Sequence, residues 1–159
     1  MIKQGDKIPA AELTVRRNDD NQTLKTEQLF SNKKVVLFAV PGAFTPTCSN
    51  THLPGYVVKA DDIKAKGVDD IICVSTNDIF VLNAWGEQQN ADAITMAADG
   101  DASFTKALGL DMDTGSFGGV RSQRYSMLVE NGEVKHLNVE APGKFEVSDA
   151  DTMLKLLSE

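Results

Sequence analysis

The segment Lys33–Val40, KKVVLFAV, constrains this chain more than any other stretch, because nothing after its two lysines is polar. A strand with one face in water alternates polar and apolar residues. One that is apolar at every position is covered on both faces. Asp70–Thr76, DIICVST, repeats the pattern and predicts a second buried strand. A helix-like segment lies between them. Strands alternating with helices through the first half of the chain predict an α/β sandwich of helix, sheet and helix.

The stretch after the first buried strand, Val40–Gly55 (VPGAFTPTCSNTHLPG), organises the rest. Pro41 fixes its own φ and has no N–H, so a central strand ends there. Gly42 permits an unusual backbone, and Pro46 suits the first turn of a helix. The pattern predicts a helix over Thr47–Lys66, stopped by Gly67 and kinked at Pro54–Gly55. Cys48 then lies near a helix N-terminus. Unpaired N–H groups and the positive end of the helix dipole favour a thiolate there.

Elsewhere the reading is plainer. Ala11–Arg17 predicts an edge strand, Asn18–Gln22 a turn, and Thr26–Phe30 a short helical turn. Asn77 or Asp78 caps a helix to Gln89. Ile94–Ala97 predicts a strand, Asp101–Leu108 a helix closed by Gly109, and Asp111–Gly119 an irregular loop. Gln123–Glu130 and Glu133–Val139 predict strands joined by Asn131-Gly132, a strong hairpin signal. Ser148–Leu157 predicts a final amphipathic helix with Ser148 as its N-cap and Asp151 at N3. No repeat or linker divides the chain, so 159 residues read as a single domain.

Composition excludes several function classes. A net charge of −7 argues against a general nucleic-acid binder and an anionic membrane surface. No apolar run approaches the ~20 residues of a membrane span. The N-terminus lacks the apolar core of a secretory signal, so a cytoplasmic location is expected. In that compartment a structural disulfide is not expected, and each of the two cysteines needs its own explanation. Cys73 sits inside Ile71–Val74 and reads as an inert core thiol. Cys48 has small polar neighbours, Thr45, Thr47, Ser49 and Asn50, and does not read that way.

The absence of CxxC removes a dithiol oxidoreductase. Two cysteines and two histidines, scattered, make no zinc site, and no metal or cofactor is expected. A cysteine phosphatase loop needs arginine six residues on, where Pro54 stands. A Cys–His hydrolase through His52 or His136 remains formally open. His52 shares a helix face with Cys48, although such neighbours rarely present a hydrolytic pair.

Pro41-Gly-Ala-Phe-Thr45-Pro-Thr-Cys48 resembles the PxxxTxxC loop of the peroxiredoxins, thiol-dependent peroxidases. THLPGY, IICVSTND, Ala84-Trp85-Gly86 and Arg121-Ser-Gln-Arg124-Tyr-Ser-Met extend the resemblance to the type II, or class V, subgroup. It covers essentially Ile2–Leu157. The resemblance implies a thioredoxin-like fold, with a central mixed β-sheet flanked by helices on both faces. It implies Cys48 as the peroxidatic cysteine, shielded by Pro41. Thr45 would hydrogen-bond the peroxide and Arg124 would be the active-site arginine. Full ionisation of an ordinary thiol at pH 7 raises its thiolate content only about thirtyfold. A fast peroxidase must therefore also orient the O–O bond and stabilise the leaving oxygen.

Other readings stand beside these. Thr45 reads also as a turn residue, and Arg124 as a solvated charge before a strand. Arg121 is divided between supporting the site and a solvated loop position. His52 reads as a hydrogen-bonded structural residue rather than a proton shuttle, and Trp85 as packing. Relatives with a second cysteine carry it near the start of the last helix. Here Lys144–Asp149 (KFEVSD) has none, and Val147 is the equivalent. That departure implies a one-cysteine mechanism resolved by an external thiol, glutathione with glutaredoxin first and thioredoxin second. The family implies a homodimer, with Phe44, Phe80 and Phe117 available for its face. The alternative function is a peroxide sensor or holdase in which oxidised Cys48 is read by a partner.

Overall fold

Both apolar runs become central strands. In the computed structural model, which describes Met1–Glu159, strands form at Glu12–Arg17 (β1), Asp20–Lys25 (β2), Lys34–Ala39 (β3), Asp70–Ser75 (β4) and Thr95–Ala98 (β5). Four more follow at Asp111–Asp113 (β6), Val120–Ser122 (β7), Tyr125–Glu130 (β8) and Glu133–Val139 (β9). Helices occupy Thr26–Phe30 (α1), Leu53–Lys64 (α2), Ile79–Gln88 (α3), Ser103–Leu108 (α4) and Ala150–Leu157 (α5). A seven-stranded sheet runs in the order β2-β1-β5-β4-β3-β8-β9, and β6 with β7 makes a separate ribbon. The pairs β3–β4 and β4–β5 are parallel, and the other pairs are antiparallel. This is the mixed sheet of a thioredoxin-like fold. No helix is long and apolar enough to cross a membrane.

The pleat explains why β3 is apolar throughout. Val36, Phe38 and Val40 face a core closed by α2, α3 and α5, whereas Val35, Leu37 and Ala39 face one closed by α1 and α4. Phe38 carries the link to the site. Its ring stacks on Tyr56 of α2 at 4.0 Å and tilts against His52 at 5.0 Å. The segment that bears Cys48 is thereby packed on the middle of the sheet.

Several expectations are corrected. β1 is not the edge strand; it pairs with β5 on one side and β2 on the other. The turn is confined to Asn18 and Asp19, both with positive φ, and the chain resumes as β2 at Asp20. Asn and Asp tolerate that conformation, which a two-residue hairpin requires. β2 escapes recognition because it is polar and almost wholly exposed. The expected hairpin at Asn131-Gly132 forms with the same signs of φ, and Glu130 faces Glu133. The irregular loop after Asp111 contains β6, which pairs with β7. Asp149, not Ser148, caps α5 by accepting from the Thr152 amide at 3.3 Å.

The predicted kinked helix is resolved differently from a kink at Pro54-Gly55. Residues Cys48–His52 form a π-helical turn, closed by the Leu53 amide on the Cys48 carbonyl, and α2 continues from Leu53. Pro54 follows directly, in the first turn of α2, and has no N–H to give back to the π-helical turn before it. The wider turn appears where π-bulges commonly occur, at the chemically distinctive part of the chain.

Candidate active site

The loop after β3 is held from both sides. Asn77, at the end of β4, accepts at Oδ1 from the Ala43 amide (2.8 Å) and the Ser75 hydroxyl (2.7 Å). Arg121, from β7, donates Nη1 to the Pro41 carbonyl at 3.2 Å and lies over the Phe117 ring at 5.2 Å. A Cβ on Gly42 or Gly118 would run into that guanidinium, so both glycines are needed to make its slot. Arg121 therefore supports the loop rather than standing free in solvent. Within the loop Thr45 donates its hydroxyl to the Gly42 carbonyl at 2.6 Å, and its own carbonyl accepts from the Ser49 amide. Phe44 takes a positive φ of 65° between them, an unusual conformation for a bulky residue.

Cys48 opens the π-helical turn and has no exposed surface. Arg124, just before β8, reaches it: Nη2 donates to Sγ at 3.1 Å. The other end of the fork, Nη1, lies 2.8 Å from Nδ1 of His52. A guanidinium only donates, so Nδ1 must be the unprotonated, accepting nitrogen. The proton then sits on Nε2, which donates to the Ser148 carbonyl at 3.1 Å. Burial first, and the Arg124 charge second, push His52 down to about pKa 3, so it is neutral at pH 7. Both ring nitrogens are engaged away from sulfur, and His52 therefore forms no hydrolase pair with Cys48. His136 lies on β9 opposite Leu128, outside this group.

Pro41, Thr47 and Arg124 line a cleft of about 390 Å³, with Met112 and Phe145 among its apolar walls. A larger cleft, about 570 Å³, lies beside Lys7, Lys25 and Phe30 and contains no thiol or imidazole. The structure thus brings Cys48 and Arg124 into contact, places Pro41 on the same cleft, and sets Thr45 in the loop between them. Trp85 is packed as expected, with no exposed surface, and its Nε1 donates to Ser49 Oγ at 2.9 Å. Cys73 is fully buried on β4, where burial and then Cys48 push its thiol well above the ordinary range.

Asn77, Tyr56, Glu140 and Ser148 also belong to this neighbourhood; the sequence offered Asn77 and Ser148 only as helix caps and did not single out Tyr56 or Glu140. Tyr56 donates to the Ser148 carbonyl at 2.8 Å. Asn77 carried a detectable signal, an Asn directly after a buried strand. Glu140 and Ser148 did not, because their partnership depends on a turn that sequence spacing does not reveal.

A redoxin family model matches residues 3–154. Peroxiredoxin-2D of Arabidopsis thaliana is 45% identical, over 98% of each chain. The structure of reduced Prx3 from Vibrio vulnificus in complex with hydrogen peroxide superposes with a TM-score of 0.97 at 62% identity, covering 99% of each chain. That of the 1-Cys peroxiredoxin of Plasmodium falciparum gives 0.91 at 32% identity, again over 99% of each. The likeness spans nearly the whole chain, and the chain belongs to the redoxin family as a peroxiredoxin, a thiol-dependent peroxidase.

Proposed function

We propose that Cys48 is the peroxidatic thiol of an enzyme that reduces hydrogen peroxide and small alkyl hydroperoxides. The observation that carries this is the forked contact of Arg124, with one nitrogen 3.1 Å from Cys48 Sγ and the other held by His52. The thiolate attacks the terminal oxygen of the peroxide. An S–O bond forms, the O–O bond breaks, sulfur loses two electrons, and the leaving oxygen takes a proton from solvent. Arg124 offers donors to the sulfur and to the charge growing on the leaving oxygen. Thr45 uses its one O–H to donate to the Gly42 carbonyl, so the lone pairs on its oxygen remain to accept the peroxide O–H. Pro41 contributes an apolar wall without an N–H. A sulfur with no exposed surface favours small substrates over bulky ones.

A one-cysteine cycle accompanies this reading. Cys73 is buried in a central strand, and Val147 has no chemistry to offer. An external thiol attacks the sulfenic acid, forming a mixed disulfide and releasing water, and a second thiol restores the thiolate. Glutathione with glutaredoxin is the first choice and thioredoxin the second. Support for a one-cysteine cycle comes from the likeness to a 1-Cys peroxiredoxin.

The test begins with reduced protein and stoichiometric hydrogen peroxide at pH 7. Cys48 is expected to oxidise thousands of times faster than free cysteine, well beyond the about thirtyfold that ionisation supplies. Cys73→Ser is expected to leave that rate and the turnover with glutathione and glutaredoxin unchanged. A rate within about thirtyfold of free cysteine would favour a sensor. Loss of turnover in folded Cys73→Ser would end the one-cysteine cycle.

A homodimer is the proposed assembly. Phe44, Phe80 and Phe117 are 49%, 73% and 77% exposed, an apolar set that a second copy would cover. Sedimentation at micromolar concentration is expected to give a dimer, and a monomer alone would reject it.

A further inference from the structure

The guanidinium of Arg124 is held by a closed circuit that begins and ends on Arg124 itself. Its Nη1 donates to His52, and His52 donates to the Ser148 carbonyl. The Ser148 amide (2.8 Å) and hydroxyl (2.7 Å) both donate to Oε2 of Glu140. The Glu140 amide then donates to the Arg124 carbonyl at 2.9 Å. Glu140 is only 6% exposed, yet its carboxylate also accepts from the amides of Glu146 and Val147, at 2.9 Å each. Burial alone would raise this carboxyl; the Ser148 hydroxyl and the three amides outweigh it and hold it below the ordinary range. An ionised carboxylate of this kind pins the turn before α5, and that turn fixes the carbonyl on which His52 rests.

We propose that Glu140 is a positioning residue for Arg124, acting through Ser148 and His52 to aim the guanidinium at the reacting sulfur and oxygen. The proposal rests on the reading of Cys48 and Arg124 as the reacting pair. The physical reason is that only donors surround the carboxylate. Nothing else in the circuit can accept from Glu146, Val147 and Ser148 at once. Without that acceptor the turn shifts, the Ser148 carbonyl moves, and His52 loses the contact that sets its ring angle. Arg124 then loses one side of its fork. A misplacement near 1 Å at a reacting group can slow a reaction by about a hundredfold.

The experiment is a double-mutant cycle on the full chain, reading the rate of Cys48 oxidation by hydrogen peroxide. The fluorescence of Trp85 serves as the signal, since its indole is bonded to Ser49 beside the thiol. Glu140→Gln keeps the shape but turns an amide group toward the amide donors. It is expected to slow oxidation by about ten- to a hundredfold. In an Arg124→Ala background the same change is expected to alter the rate by less than about twofold, because the residue it positions is gone. The nitrogen chemical shifts of His52, reporting the Nε2–H tautomer in the parent protein, are expected to move toward a tautomer average in Glu140→Gln. Equal losses in both backgrounds, or unchanged His52 shifts, would overturn the proposal. A slow Arg124→Ala beside an unaffected Glu140→Gln sinks the positioning role alone, whereas a parent-like rate in Arg124→Ala sinks the role of Arg124 and this proposal with it. If Glu140→Gln fails to fold, Ser148→Ala removes one donor and keeps the carbonyl. It is expected to show a smaller loss in the same direction, absent in the Arg124→Ala background, and a loss that persists there would overturn the proposal.

Discussion

Arg124→Ala is expected to lower the second-order rate constant for oxidation of Cys48 by hydrogen peroxide by about 10²–10³-fold, the scale of losing one preorganised donor at a developing charge. The guanidinium lies 3.1 Å from Sγ and offers donors both to the sulfur and to the charge that grows on the leaving oxygen. Arg124→Lys is expected to recover little, because a single ammonium cannot serve His52 and Cys48 from a rigid planar fork. Stopped-flow oxidation at pH 7 reads the loss. If the rate of Arg124→Ala stayed at the parent level, the catalytic power would have to come from Thr45 and the loop.

The sequence carried the frame of the fold and the reacting residues unequally. β3 and β4 were legible because burial on both faces leaves an apolar run unbroken from Val35 to Ala39 and from Ile71 to Val74. The hairpin at Asn131-Gly132 was legible because positive φ at adjacent positions demands those residue types. β2 was hidden, since its polar side chains match a loop and only its backbone pairing to β1 makes it a strand. The π-helical turn was hidden for a related reason. Pro54 announced a disturbance of the helix, but spacing could not show that the extra residue falls before it, at Cys48–His52.

The site divides along the same line. Cys48 could be reached from its polar neighbours and its place near a helix start. Arg124 lies across the sheet at the start of β8, and resemblance alone pointed to it; as a lone charge it could equally have been solvated. Ser148 misled, because Ser and Asp are about equally good N-caps and they stand side by side at 148 and 149. Asp149 took the cap, which freed Ser148 to turn its amide and hydroxyl inward to Glu140. Glu140 follows an exposed-looking strand end and carries no local mark of burial. Its importance exists only once the turn at 146–148 has folded over it.

Acid is expected to destabilise this protein earlier than its carboxylates would dictate, and the cause is His52. Its ordinary value is 6.5, and in the fold it is pushed down to about 3 by burial and the Arg124 charge. A group whose folded value is depressed contributes stability that is fully present above its unfolded value and is lost as pH falls toward the folded one. Between pH 6.5 and 3 the unfolded chain binds a proton that the folded chain refuses, with a slope of up to about 1.4 kcal/mol per pH unit. Glu140, Asp101 and Glu133 are also depressed, but from ordinary values of 4.5 or below, so they act in more acidic solution. The window from pH 6.5 to 4.5 therefore belongs to His52. Urea unfolding is expected to show about 2 kcal/mol less stability at pH 5 than at pH 7. In His52→Gln the baseline is lower but flat across that interval, since glutamine can accept from Arg124 and donate to Ser148 without titrating. Equal pH slopes in the two proteins would remove His52 as the cause. The link to function is direct: only a neutral His52 has the lone pair that accepts from Arg124, so the same burial that costs stability in acid keeps the guanidinium in place beside the thiol.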